Sequence, residues 1–255
     1  MSKNDRRRFL GQAFAVGSAA LLAGCERLNN SATFKEVLAS SDKLTDKTFH
    51  ALTPENALAQ EFTEAEMSPY FKANGSVNPK TPEYLALLNN NFTDYRLKVF
   101  GLVDIPLALS LAQLRALPSR TQITRHDCVE GWSCVGKWKG APLGALLDQA
   151  KPKANAKYVV FHCADSYDNN DERYYESIYL HDADHPQSIL AYDMNDKLLD
   201  VAHGAPIRVR LERKLGYKMA KYILGLELVE SLDAIGKGRG GYWEDHHGYH
   251  WHAGI

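Results

Sequence analysis

Apolar and polar positions are organised most clearly in the C-terminal three-fifths of the chain. From Tyr95 to Val103, Tyr, Leu, Val, Gly and Val alternate with Arg, Lys, Phe and Leu, a period of two that predicts a strand. Ser110 then precedes Leu111, Leu114 and Leu117 at helical spacing, with Ser110 as the N-cap and Pro118 as the stop. A strand is predicted at 121–126, followed by a Gly-Trp-Ser loop. Pro142 opens a helix over Leu143–Ala150. Lys157–Cys163 reads as a buried strand, Ile207–Leu211 as another, and Tyr222–Glu230 as a longer alternating one. The N-terminal part is different: Glu26 to about Glu66 is polar, with short helices expected around 33–40 and 54–60, and Ser68–Pro82, rich in Pro, Asn and Gly, should be loop. No internal repeat is visible. Strands outnumber helices, so the expectation is one sheet-rich mixed α+β domain over 67–255, preceded by a tether and peripheral arm at 25–66.

The first 24 residues form a segment of another kind. Arg6, Arg7, Arg8, Phe9 and Leu10 are followed by small and apolar residues from Ala13 to Ala23, too few to span a bilayer as a mature helix. This reads as a signal peptide. The arginine pair before Phe-Leu resembles the twin-arginine export signal, a route that moves folded proteins, often around a cofactor. Leu22-Ala23-Gly24-Cys25 resembles a lipoprotein box whose cysteine is acylated, which would put the protein on the outer side of a membrane, anchored by lipid. An ordinary secretory signal with an incidental Cys25 is the alternative, and also implies export. Residues 1–24 hold four of the 30 Lys and Arg and one of the 31 Asp and Glu, so the remainder carries 26 against 30. That mildly acidic balance lacks the basic footprint of a nucleic-acid binder.

After Cys25 only Cys128, Cys134 and Cys163 remain, an odd count and too few for a disulfide scaffold. In Arg125-His126-Asp127-Cys128-Val129-Glu130-Gly131-Trp132-Ser133, Cys128 lies between a strand end and a Gly-containing turn, where a thiolate can serve as metal ligand or nucleophile. Arg125 and His126 are expected to favour its ionised form. Taken alone, Cys128 fits a small buried hydrophobe equally well.

The same nine residues resemble the molybdenum-ligand motif of the sulfite oxidase superfamily. The likeness is to its small periplasmic bacterial branch, to which methionine sulfoxide reductase catalytic subunits belong. The resemblance continues in order through Gly136-Lys137-Trp138-Lys139-Gly140-Ala141-Pro142-Leu143, His203-Gly204-Ala205-Pro206-Ile207-Arg208 and Lys214-Leu215-Gly216-Tyr217-Lys218, over roughly residues 68–255. It implies the superfamily's molybdopterin-binding fold, and a molybdenum–molybdopterin cofactor in which Cys128 is the metal ligand beside two dithiolene sulfurs and two oxygens.

By the same resemblance, His203 and Arg208 contact the cofactor, His203 standing where the family has Asn; Met219, Ala220 and Lys221 follow just after Gly-Tyr-Lys. Lys218 and Lys214 add cations, and His126 is carried over from the ligand motif. Phe71, Lys72 and Asn74 sit in the place of an N-terminal loop that touches the cofactor, and Cys163 stands where relatives carry a cofactor-contacting Thr. Asp165, Arg173, Tyr174, Tyr175, Glu176 and Ser177 are substrate-side candidates, since Tyr-Glu-Ser-Ile resembles a turn facing the metal. Among them Tyr175 is the expected catalytic hydrogen-bond donor. Cys134 is expected to be an inert thiol.

The activity implied is two-electron oxygen-atom transfer, either reduction of S- or N-oxides or of oxidised methionine, or sulfite oxidation. No Cys-x-x-Cys-His and no flavin signature occurs, so electrons must come from a separate haem protein. A monomer is expected, because the family's oxidases carry a further C-terminal dimerisation domain for which there is no room here. A rival from another class starts from the tail: four of the ten histidines lie in the last ten residues, which suits a lipid-anchored copper- or zinc-binding protein. The alternative for the tail, residues Gly240 to His252, is that it closes over the active-site mouth with its aromatics.

Overall fold

In the computed structural model of this chain, residues 31, 33, 54, 57–167 and 172–255 are described. The leader, Cys25 and, but for residue 33, the helix expected at 33–40 lie outside the described residues. Residues 54 and 57–60 are not helical. The chain divides into Met1–Pro54 and Glu55–Ile255, and the second unit, described here, includes the last part of the stretch read as an arm. Within that part Glu61 bridges to Thr124, and the Phe62 amide donates to Ile123 O at 2.8 Å.

Described helices and strands follow in the order α1 (Pro82–Asn89), β1 (Leu97–Gly101), β2 (Leu107–Leu109), α2 (Leu111–Ala116), β3 (Arg120–Asp127), β4 (Ser133–Pro142), α3 (Leu143–Ala150), β5 (Tyr158–Ser166), β6 (Arg173–Tyr179), α4 (Leu180–Ala183), β7 (Ile189–Met194), β8 (Lys197–Leu198), β9 (Arg208–Arg210), β10 (Ile223–Val229) and α5 (Tyr242–His247). One sheet runs β2-β1-β10-β5-β6, with only its β1–β10 pair parallel; the other runs β3-β4-β7-β8, and β9 joins it at β7. The fold is the sheet-rich mixed domain expected. One apolar core collects Leu97 and Val99 of β1, Phe161 of β5, Leu226 and Leu228 of β10, Leu190 of β7 and Leu143, Leu146 and Leu147 of α3, so both sheets and that helix share it.

Local signals explain several elements. Ser110 caps α2 reciprocally: its hydroxyl accepts from the Gln113 amide at 3.2 Å, and its own amide donates to Gln113 Oε1 at 2.9 Å. The Gly-Trp-Ser loop is the tip of a hairpin between β3 and β4. Cys128 N donates to Trp132 O at 2.9 Å, and the turn closes through Gly131 N to Cys128 O at 3.0 Å, with Gly131 at φ +85°. A three-residue hairpin loop ending in a left-handed residue needs glycine there.

Several elements escape the sequence reading, and three of them, β4, β7 and β6, shape the sheets around the site. β4 is masked by Gly136, Gly140 and Pro142, yet Gly140 is what lets it approach β7, since a Cβ would lie 2.6 Å from the Leu190 carbonyl carbon. β7 was not separated from the loop around it. The Tyr-Glu-Ser-Ile segment, expected to be a turn facing the metal, is the middle of strand β6, paired along β5. Its Tyr175 therefore lies in a sheet, not on a loop.

β3 carries the unusual feature. Its inward residues are Gln122, Thr124 and His126, all buried and all polar. Gln122 donates to Glu212 and His126 accepts from Arg210, both of them also buried, so this flank of the fold is held largely by a hydrogen-bonded network, in which the Thr124 hydroxyl has no partner.

Candidate active site

A cavity of about 590 Å³, counting the space open to solvent, lies where the β3–β4 hairpin tip, the end of β5, the segment 216–221 and the C-terminal tail meet; Asn74 also lines it. Cys128 lines it from the hairpin, Asp165 and Tyr167 from the end of β5, and Gly216, Met219, Ala220 and Lys221 from the segment joining β9 to β10. Sequence-separated candidates Cys128, Asn74, Met219, Ala220 and Lys221 are thus brought together.

His126 stands one layer behind. It is fully buried, and burial together with Arg210, Arg208 and Lys221 pushes its pKa well below the usual histidine value, so the ring is neutral. Arg210 Nη1 donates to its Nδ1 at 3.0 Å, which leaves the proton on Nε2. That Nε2–H has no partner and points at Gly216, where a Cβ would lie only 2.5 Å from the ring Cε1. Arg210, missed by the sequence reading, is itself fixed by a bidentate pair with Glu212 (3.0 and 2.6 Å) and lies over the Trp138 ring at 4.4 Å. The Arg-Val-Arg spacing at 208–210, which puts both cations on one face of a strand, is the signal that could have revealed it.

Arg208 is likewise buried. It donates to His203 O at 3.1 Å and Met219 O at 3.3 Å, while its Nε has no partner. Lys221 donates to the carbonyls of Asn74 (2.7 Å), Ala202 (2.9 Å) and Ser76. Burial and Arg208 push its pKa down to about 7, against the pull of Asp165 and Asp200. Asp165 is pushed up to about 7 by burial, opposed by Lys221.

Other candidates sit elsewhere. The His203 ring faces the Asp200 carboxylate at 2.7 Å and Phe71 O at 3.1 Å, so it ties down the 71–74 loop and reaches Arg208 through its backbone. Phe71 packs edge-on against Trp138 in a small second core. Lys72 lies at the rim, 3.5 Å from Glu130 and over Trp132. Lys218 is buried between Glu176 and Glu244 and does not line the cavity. Cys163 is sealed in the main core. Tyr175 lines a separate pocket with His162 and Glu227, its hydroxyl on Asp245; the phenol of β6 that does line the cavity is Tyr174, donating to Tyr217 O at 2.5 Å.

The Cys128 thiol also differs from expectation. Burial and the Glu130 charge push its pKa up, because His126 is neutral and Arg125 is turned outward to Asp127 at 2.9 Å. The thiolate form must then come from a bound cation rather than from its protein neighbours.

Trp243 and Tyr249, aromatics of the tail expected to close over the active-site mouth, line the cavity. The tail histidines disperse: His246 Nε2 is 3.0 Å from Glu172, His252 Nδ1 is 3.1 Å from Lys214, and His247 packs on Trp243. Among the described residues no group of three or more His, Cys, Asp or Glu gathers to hold a metal ion.

The donor set fits a molybdopterin. A soft sulfur sits at one part of the cavity, the unpartnered Asn74 Oδ1 and Asp165 Oδ1 belong to residues that line it, and the unpartnered His126 Nε2 and Arg208 Nε belong to residues packed behind the lining Gly216 and Met219. Buried polar atoms without partners are costly, and a pterin with its phosphate offers both donors and acceptors to satisfy them.

Comparison with known proteins agrees. The family described as "Oxidoreductase molybdopterin binding domain" matches residues 85–234. A putative protein-methionine-sulfoxide reductase subunit of Azospira oryzae is 35% identical over 98% of this chain and 87% of its own length. The protein-methionine-sulfoxide reductase catalytic subunits MsrP of Xanthomonas campestris and Campylobacter jejuni are 32% and 30% identical, each over 89% of this chain and 71% and 73% of theirs. Among solved structures, the sulfane dehydrogenase SoxCD of Paracoccus pantotrophus aligns with a TM-score of 0.50 at 23% identity, over 59% of this chain and 45% of that one, a likeness of fold.

Proposed function

The chain belongs to the oxidoreductase molybdopterin-binding family and is a molybdopterin-dependent oxidoreductase. From that premise we propose that it reduces neutral sulfoxides, oxidised methionine foremost, at the cavity containing Cys128. The overall change is R–S(=O)–CH3 + 2 H⁺ + 2 e⁻ giving R–S–CH3 and water, the electrons coming from a separate haem protein. The observation that carries the choice of a neutral substrate is Glu130. It lines the cavity, its carboxyl is held below the usual range by the Trp132 indole N–H, and it offsets the charge of Lys72 at the rim, so that side of the mouth has no net positive charge to draw in an anion such as sulfite. The names of the relatives, which are subunits of protein-methionine-sulfoxide reductases, point to the same substrate class.

Each part of the cavity then has a task. Cys128 supplies the sulfur ligand and gives up its proton on ligation. Asn74, Asp165, His126, Arg208 and Lys221 would hold the organic part, the cations balancing its phosphate. When bound, the molybdenum centre supplies an acceptor for one oxygen atom and a store for two electrons. Arg6–Leu10 and Leu22–Cys25 support export by the twin-arginine route and a lipid anchor at Cys25, which would place the reaction on the outer side of a membrane. No helix among the described residues is long and apolar enough to cross one.

The test is metal and substrate analysis of the exported protein. Expected are about one molybdenum per chain with a releasable pterin, loss of the metal-centred signal in Cys128→Ser but not in Cys134→Ser, and turnover of methionine sulfoxide with little of sulfite. Stoichiometric copper or zinc without pterin, or equal loss in both cysteine variants, overturns the assignment.

A further inference from the structure

The sulfoxide-reductase reading leaves open what the cavity presents to the substrate's own atoms, and the tail offers an answer. Trp243 stands on α5 and Tyr249 just beyond it, and the two rings stack at 5.7 Å with 22° between planes. Trp243 also meets Tyr167 edge-on at 5.0 Å, and Tyr249 meets Tyr217 edge-on at 5.1 Å, so the stack is braced from β5 and from the segment after β9. All four rings line the same cavity as Cys128.

A single backbone device delivers the stack. Gly248 ends α5 in the left-handed region, at φ +70°, with its amide bonded to Glu244 O at 3.2 Å, and the Tyr249 amide then returns to Trp243 O at 3.3 Å. That reversal brings Tyr249 back over the indole. Glycine adopts this conformation without the strain that a Cβ brings.

We infer that the Trp243–Tyr249 stack is the wall against which the methylsulfinyl end of the substrate packs, making these two residues specificity determinants for thioether-derived oxides. Ring faces carry negative charge density, which favours a polarisable sulfur and the hydrogens of its attached methyl group and disfavours anions. This inference rests on the sulfoxide-reductase reading and adds the residues that recognise the substrate.

The test uses the molybdenum-loaded enzyme and methionine sulfone, an unreactive mimic, in titration calorimetry, beside KM for methionine sulfoxide with an artificial electron donor. Trp243→Ala and Tyr249→Ala are each expected to weaken sulfone binding and raise KM by about 3- to 10-fold, with molybdenum and pterin content unchanged. Gly248→Val, which keeps both rings but not the turn, should move binding the same way. If Trp243→Ala fails to load cofactor, Tyr249→Ala decides. Wild-type turnover of sulfoxides with sulfone binding unchanged in the variants overturns the inference and leaves the sulfoxide-reductase reading standing. A wild-type enzyme that neither binds the sulfone nor reduces any sulfoxide overturns both.

Discussion

Replacing Arg210 by Met should be among the most damaging single changes remote from the Cys128 sulfur. The guanidinium is fully buried and makes a bidentate pair with an equally buried Glu212, a bond to His126 Nδ1 and a cation–ring contact with Trp138. Its removal leaves the Glu212 carboxylate in the interior with Gln122 Nε2, at 2.7 Å, as its remaining donor from this network. Breaking one partner out of a buried pair costs about 3–5 kcal/mol, because the other charge stays behind uncompensated. With a urea slope near the upper end of the usual range, about 3 kcal/mol per M for a domain of this size, the unfolding midpoint falls by about 1–2 M. The assay is urea unfolding of cofactor-free protein, so that ligand linkage does not enter. Arg210→Met with Glu212→Leu should recover most of the loss, since an apolar pair of similar volume replaces the ionic one. Both variants should still load less pterin, because His126 loses the donor that fixes its tautomer. A single-variant loss below about 1 kcal/mol, or a double variant no better than the single, refutes the reasoning.

Two further outcomes follow from the same geometry. Gly216→Ala drives a methyl group into the His126 ring, which Arg210 and Met219 (3.3 Å from Nδ1) keep from moving. It should cost about 1–3 kcal/mol by overpacking and reduce the pterin fluorescence released on denaturation, whereas wild-type pterin content and melting temperature would contradict the placement of His126. For Asp165, burial raises the folded pKa from 3.8 to about 7, so the folded state holds a proton that the unfolded state releases. The contribution of Asp165 to stability is then greatest below about pH 4 and is lost as pH rises towards 7. Unfolding free energy of the cofactor-free wild type should fall across that window relative to Asp165→Asn, and parallel profiles would show that the carboxyl ionises normally.

The sequence by itself determined the periodic elements and the chemistry written in contiguous residues. Alternation at 95–103 predicts β1, the Ser110 N-cap predicts α2, and Cys128 before Gly131 marks a thiol at a turn, for which the ordered motif matches downstream imply the role of metal ligand. These features depend on residues within a few positions of one another, so they survive in one dimension. What only the tertiary structure decided depends on register and long-range approach. β4 was hidden because Gly140, unfavourable for a strand in isolation, is required by the backbone of β7 passing beside it. Tyr175 and Tyr174 are neighbours whose side chains leave opposite faces of β6, so a shift of one residue decides which phenol lines the cavity. Lys218 and Lys221 look alike in sequence, yet one is enclosed between Glu176 and Glu244 and the other lines the cavity. The protonation of Cys128 and His126 is decided the same way: burial of the thiol outweighs the pull of Lys72, and burial of the imidazole is reinforced by Arg210, Arg208 and Lys221, which only the fold brings against it. Tyr249, far from the ligand motif along the chain, is returned by the glycine turn at 248 onto Trp243 of α5, and both line the cavity.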